Sequence, residues 1–201
     1  LAAHPCQKIK YSEVVHDHLA RDVKHALQLL FQARVAAPVF HSSCAGLPLA
    51  AGKSEKTYKS IFLDVGLHNN AVRADLPMIR NLKGDLLLGR GAMVEQFVGQ
   101  LLLYREEPYA MPQLHYWLRE GKKGNAEVDF VIDRSDFIAA IEVKSGAGGH
   151  LRSLRVWESE CAYPKKVMLR LNAHLPQREG PLWSLPLYCL EQVGRLLDGV
   201  S

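Results

Sequence analysis

The feature that most limits how this chain can fold is a pair of alternating segments. Ala126-Glu127-Val128-Asp129-Phe130-Val131-Ile132 is followed by a turn at Asp133 to Asp136, then by Ile138-Ala139-Ala140-Ile141-Glu142-Val143-Lys144. On an extended strand, side chains two apart share a face. Glu127 and Asp129 are therefore expected on one face, with Val128, Phe130 and Ile132 on the other. In the next strand Glu142 and Lys144 share a face, while Ile141 and Val143 point away. Joined as a hairpin, the strands have two registers. A two-residue loop at Arg134-Ser135 sets Glu127 opposite Glu142, and a loop two residues longer sets Asp129 opposite Glu142. Either register is expected to gather all four charges on one side.

Such a cluster is costly if buried. Carboxylates within about 4–6 Å repel, and one must take up a proton unless a cation intervenes. A divalent metal supplies that cation, and hard oxygen ligands suit Mg²⁺ or Mn²⁺. A lysine beside them stabilises negative charge on a phosphate or orients the attacking water. Asp129, Glu142 and Lys144 thus form a minimal set for metal-assisted phosphodiester hydrolysis. The competing explanation is a solvated hairpin face carrying cross-strand Glu–Lys pairs. Spacing alone leaves both open.

The flanking sequence predicts an α/β core. Gly89 to Tyr104 has a helical period through Met93, Val94, Phe97, Val98, Leu101 and Leu102, with Glu95 among them. Strands are expected at Leu114 to Leu118, Glu127 to Ile132 and Phe137 to Lys144. A helix follows at Leu151 to Cys161, a fourth strand at Lys166 to Leu171, and a closing helix at Leu187 to Leu197. Upstream, Tyr58 to Leu63 reads as a strand. Asp64 to Leu67 then leads into a polar turn at His68-Asn69-Asn70, and Asp64 is expected to cap it.

The N-terminal part reads as two short helices, Tyr11 to Ala20 and Arg21 to Ala33, before a short strand ending at Phe40. That order suggests a winged-helix-like module. Residues 41–57, rich in Ser, Gly, Ala and Pro, read as a loop or linker. Gly46 to Ser54 approximates a phosphate loop, but its spacer has one residue too many and Pro48 intrudes, so nucleotide binding there is not expected.

The pattern Asp129-x12-Glu142-x-Lys144, with Glu95 on a preceding helix, resembles the PD-(D/E)XK nuclease superfamily, which has a restriction-endonuclease-like fold. Further stretches narrow the likeness: Lys59 to Leu67, Val94-Glu95-Gln96-Phe97-Val98, Tyr116-Trp117, Glu127 to Val131, Ile141 to Lys144 and Ser184 to Tyr188. Together they resemble the uncharacterised C-terminal domain of a family of prokaryotic AAA-type ATPases. The resemblance implies an upstream ATP-binding AAA-type ATPase domain. It implies a core of helix, three strands, helix and strand over residues 58–201, behind a winged-helix-like segment and linker at 1–57. By the same resemblance Asp129 and Glu142 would hold Mg²⁺ or Mn²⁺, and Val143 would offer its backbone carbonyl. Lys144 would be the catalytic lysine, and Glu95 would reach the metal through water or hold a second ion.

Composition agrees with these expectations without compelling them. The chain has 201 residues, 48% hydrophobic and 23% charged, which excludes disordered and collagen-like classes. No apolar run approaches the roughly 20 residues that span a bilayer, so no membrane partner is expected. The net charge of +4 permits a nucleic-acid partner but does not require one. Candidate DNA contacts are Arg21 and Lys24 on the second N-terminal helix, Lys122 and Lys123 in a turn, and His150 after a glycine run. Each is more readily explained as a solvated charge. Cys6, Cys44, Cys161 and Cys189 fit no zinc spacing and read as thiols of a reducing cytoplasm. There is no secretory signal pattern, and the first residue is Leu, consistent with a piece of a longer protein.

Three functions follow as expectations. The first is a metal-dependent DNA-cleaving domain that an attached ATPase places or regulates. The second is a catalytically silent nuclease-like module that binds nucleic acid or a partner. The third is a structural domain that assembles ATPase subunits, which expects oligomers.

Overall fold

The computed structural model describes residues 6–9, 19–73, 87–105, 109, 113–121, 124–134, 136–144 and 151–198. The chain divides into two compact units. One comprises Leu1–Phe40 and Glu55–Gln113, the other His41–Ser54 and Leu114–Ser201.

In the first unit, helix α1 (Ala20–Gln32) precedes the side-by-side strands β1 (Ala36–Ser42) and β2 (Lys53–Phe62), each of which also runs into the second unit. Residue 57, the expected segment boundary, falls within β2. Val23 and Leu27, four apart on one face of α1, are buried with Ile9 and Tyr58. Phe31 meets the Tyr58 ring edge-on at 6.0 Å. Leu30 is 36% exposed, because α1 commits only a narrow stripe to the core. The expected first helix, Tyr11 to Ala20, lies outside the described residues except at its end.

The polar stretch after Asp64 is a helix rather than a turn, α2 (Val65–Ala71). Asp64 Oδ1 accepts from the amides of Gly66 at 2.7 Å and Leu67 at 3.3 Å, so Asp64 caps as expected, but caps a helix. Helix α3 (Leu87–Leu103) holds this region in place. Gln96 pairs with both backbone groups of Phe62, accepting its amide at 2.8 Å and donating to its carbonyl at 2.7 Å. One turn later, Gln100 Oε1 accepts the Val65 amide at 2.7 Å. Two buried glutamines thus satisfy backbone groups where β2 ends and α2 begins.

The second unit is a mixed sheet of six strands in the order β3-β4-β5-β6-β8-β7. These are β3 (Leu114–Arg119), β4 (Ala126–Arg134), β5 (Phe137–Val143), β6 (Lys166–Asn172), β7 (Gln177–Glu179) and β8 (Leu182–Pro186). β3, β4 and β5 are antiparallel neighbours, whereas β6 runs parallel to β5 and β8 parallel to β6. A parallel pair needs a crossover, which helix α4 (Arg152–Glu160) supplies. Leu154 and Trp157 of α4 are fully buried against Val128, Val131, Ile138, Ala140, Met168 and Leu182. Burying side chains of this size contributes about 1.5–3 kcal/mol each. The expected order of helix, three strands, helix and strand is present as α3, β3, β4, β5, α4 and β6. The architecture is α/β, as expected.

Three further features depart from expectation. The β7–β8 hairpin was not foreseen, and Gly180 at φ +58° makes its turn. The closing helix is a 3₁₀ turn at Leu187–Gln192 that passes into helix α5 (Val193–Asp198). Residues 41–57 are no linker. Cys44 and Leu49 are fully buried, and the Leu49 amide donates to Asp133 Oδ2 at 2.9 Å. A 3₁₀ turn at Leu49–Gly52 leads straight into β2, so Gly52-Lys53-Ser54 opens no helix and makes no phosphate loop. A side chain at Gly52 would meet Ser43 Oγ at 2.5 Å, which explains the glycine.

All four cysteines are thiols. Burial pushes the Cys44 thiol up to about 12 and raises that of Cys161 as well. Among the described residues no helix is long and apolar enough to cross a membrane.

Candidate active site

The hairpin register decides which charges meet. Pairs run from Phe130↔Ile141 to Arg134↔Phe137, leaving two residues between the strands. Continued by one step, this register sets Asp129 opposite Glu142. The loop is as tight as the first expected register required, but it sits one residue later and delivers the second alignment.

Strict alternation does not run the length of β4. Its pairing with β3 slips between His115↔Val131 and Trp117↔Val128. The extra residue in β4 puts Val128 and Val131 in the same core cluster, although they are three apart. The expectation that Val128, Phe130 and Ile132 share one face is therefore corrected. So is the expectation that alternation carries Glu127 onto the side of Glu142. Glu127 instead stands opposite Leu118 on the far side of the slip.

Asp129, Glu142, Val143 and Lys144 are brought together. Asp129 Oδ2 accepts the backbone amide of Val143 at 2.7 Å. Glu142 is 4% exposed, and its Oε1 accepts from Lys144 Nζ at 2.5 Å. The Lys144 amide donates to Leu171 O at 2.8 Å, which extends the β5–β6 edge past the last strand residue. Both carboxylates thus have one oxygen oriented by an N–H donor from Val143-Lys144, where β5 ends.

Glu95 belongs to the first unit. Its Oε1 meets Lys59 Nζ at 3.1 Å, and Lys59 is 1% exposed on β2. This ion pair was not foreseen. The available signal was a lysine inside the strand Tyr58-Lys59-Ser60-Ile61-Phe62, where solvent-facing alternation is absent. Arg21 and Lys24 are exposed on α1, and Arg21 Nε lies 3.4 Å from Asp22. Lys122, Lys123 and His150 lie outside the described residues. Tyr116 and Trp117 are both buried in the sheet, out of reach of a stacking base.

Hard oxygens from two adjacent strands are a suitable donor set for Mg²⁺ or Mn²⁺. Among the described residues no group of three His, Cys, Asp or Glu is assembled for a metal. Mg²⁺ is commonly held by one or two carboxylates with water and substrate phosphate completing its shell, so the pair Asp129 and Glu142 fits.

No curated protein matches the chain. A family model described as a domain of unknown function, DUF4143, matches residues 90–190, just over half of the 201 residues. The chain belongs to the DUF4143 family. The DUF4143 match takes in Glu95, Asp129, Glu142, Val143 and Lys144, together with the sheet of the second unit up to β8. Among solved structures, the crystal structure of protein VC1899 from Vibrio cholerae is similar at 13% identity and a TM-score of 0.34. The alignment covers 96% of this chain and 46% of that one, so the chain spans less than half the length of that protein.

Proposed function

We propose that this DUF4143 chain carries a metal-dependent phosphodiesterase site of the PD-(D/E)XK type, acting on DNA. The observation that supports it best is the pairing of Asp129 with the Val143 amide beside the Glu142–Lys144 contact. Two carboxylates and an ammonium on adjoining strands are the groups that metal-assisted hydrolysis uses. Asp129, Glu142 and the Val143 carbonyl would hold Mg²⁺ or Mn²⁺, which when bound polarises the phosphate and lowers the pKa of its water. Lys144, anchored on Glu142, would orient that water and offset charge at the phosphorus. The helix, three-strand, helix, strand order is consistent with a restriction-endonuclease-like core. On this reading the site serves as the C-terminal domain of a cytoplasmic AAA-type ATPase, whose ATP-driven part would place or regulate it.

The test is nicking of supercoiled plasmid in Mg²⁺ or Mn²⁺. The expected result is cleavage that disappears in Lys144→Ala. A protein that never cuts duplex, single-stranded or branched DNA in either metal, with its ATPase domain attached, contradicts the proposal.

One observation favours a second reading, a nuclease-like module that binds nucleic acid or a partner without cutting. Glu95, the third carboxylate, is engaged in an ion pair with Lys59. On this reading Asp129→Ala leaves binding unchanged.

A further inference from the structure

Arg170 stands beside Glu142 across the parallel β5–β6 pairing, and Ser184 stands beside Arg170 across β6–β8. Gln177 of β7 pairs with Ser184 in turn. Residues directly paired on neighbouring strands project to the same face. A polar row, Glu142–Arg170–Ser184–Gln177, therefore crosses four strands. Two residues earlier on the same face, the row Ala140–Met168–Leu182 is apolar and buried beneath α4. The sheet changes abruptly from core to polar at the level of Glu142.

Within that row Arg170 carries a buried donor whose hydrogen bond is unmet. Its Nε is buried with no hydrogen-bond partner, and among the described residues the guanidinium makes no ion pair. Glu142 beside it directs Oε1 to Lys144 instead. A guanidinium stays charged throughout the physiological range. Arg170 is half-buried, and its Nε–H, withdrawn from water without a partner, is costly unless an anion meets it. Its planar fork matches the two oxygens of a phosphate group. It also stands next to Glu142, whose carboxylate would otherwise repel a phosphodiester.

We propose that Arg170 is the phosphate-contacting residue of this cluster, and that the anion it takes is a phosphodiester of the DNA backbone. The phosphate lies on the β6 side of Glu142, with Lys144 beyond Glu142 and the Ser184 hydroxyl one strand further along the row. This rests on the phosphodiesterase reading of Asp129, Glu142 and Lys144.

The test compares wild type, R170Q and R170K in duplex-DNA binding over a salt series in Ca²⁺, and in cleavage in Mg²⁺. Thermal melts of each variant establish that it is folded. Loss of one phosphate contact lowers the slope of log affinity against log salt by about 0.9. R170Q is expected to show that loss and to cleave slower by about tenfold or more, the weight of a charge-assisted hydrogen bond. R170K keeps the charge and hence the slope, but it lacks the fork and cleaves below wild type. If R170Q melts early, R170K carries the test, and a folded R170K with the wild-type cleavage rate overturns the inference. A wild-type protein that binds and cleaves, matched by R170Q in slope, affinity and rate, overturns this inference and leaves the phosphodiesterase reading standing. A wild-type protein that neither binds nor cleaves overturns both.

Discussion

The carboxylate of Asp129 stands in for a strand partner of Val143. Its Oδ2 accepts the Val143 amide at 2.7 Å, one step beyond the last regular pair, Phe130↔Ile141. The side chain therefore holds the two strands together at the point where backbone pairing stops. Its orientation is set by the same amide that separates Glu142 from Lys144. Fold and proposed chemistry meet at this one atom pair.

Asp129→Asn and Asp129→Ala separate the two contributions. Alanine removes the acceptor and is expected to cost about 1.5–3 kcal/mol, the range for hydrogen bonds to charged groups. Asparagine keeps an oxygen for the amide and should cost less than half of that. Both variants should lose metal-dependent cleavage. Urea unfolding beside the nicking assay reads both effects, and equal destabilisation by the two substitutions would show that the bond does not hold the strands.

The Lys59–Glu95 pair yields a double-mutant cycle. Lys59 is 1% exposed, so Glu95→Gln leaves a buried ammonium without this counter-charge, at an expected cost of about 3–5 kcal/mol. Replacing both, as Lys59→Met with Glu95→Gln, removes the charge with its partner and should recover part of that loss. Additive losses in denaturant melts would mean the pair is not coupled.

His115 predicts an acid limit. It is buried, its Nε2 has no hydrogen-bond partner, and burial lowers its pKa below the ordinary 6.5. Asp133 opposes that shift and Lys53 adds to it. The unfolded chain therefore binds a proton at about pH 6.5 that the folded chain refuses. Above that pH the group contributes no pH dependence. As pH falls below it, stability is lost, by at most about 1.4 kcal/mol per pH unit, until the folded-state value is reached. His115→Gln should flatten the decline in urea midpoint between pH 7 and 5. An unchanged slope in that variant would assign the decline to other groups.

The thiols predict an order of reactivity. Cys44 is raised to about 12 and Cys161 is raised too, both by burial, whereas Cys189 is partly exposed. Thiolate is the reacting species. Iodoacetamide at neutral pH should label Cys189 first and leave Cys44 and Cys161 untouched until the protein unfolds. Mass spectrometry of a time course measures this, and early labelling of Cys44 would contradict the burial.

Local pattern carried much of this architecture. The period of two in β4 and β5 and the helical period of α3 and α4 are short-range signals, and they placed those elements within a few residues. Asp129, Glu142 and Lys144 could be picked out because their spacing implies neighbouring strands. The slip in β4 could not be, since a bulge is set by pairing with β3 and leaves no mark in the alternation itself. The polar segment His68-Asn69-Asn70 looks like a turn, yet it is helical because Asp64 caps it and Gln100, far along the chain, satisfies the first amide. The β7–β8 hairpin hides behind the exposed residues Gln177-Arg178-Glu179, which lack a strand pattern. Arg170 is invisible without the parallel register, because only the crossover through α4 sets it beside Glu142.

The proposed chemistry requires that Asp129 and Glu142 grip one ion. A crystal soaked in Mn²⁺ measures this directly. The expected result is an anomalous peak within about 2.0–2.4 Å of oxygens from both residues, absent in a crystal of Asp129→Asn. A fully occupied Mn²⁺ elsewhere, with these two carboxylates unliganded in a well-ordered hairpin, would contradict it.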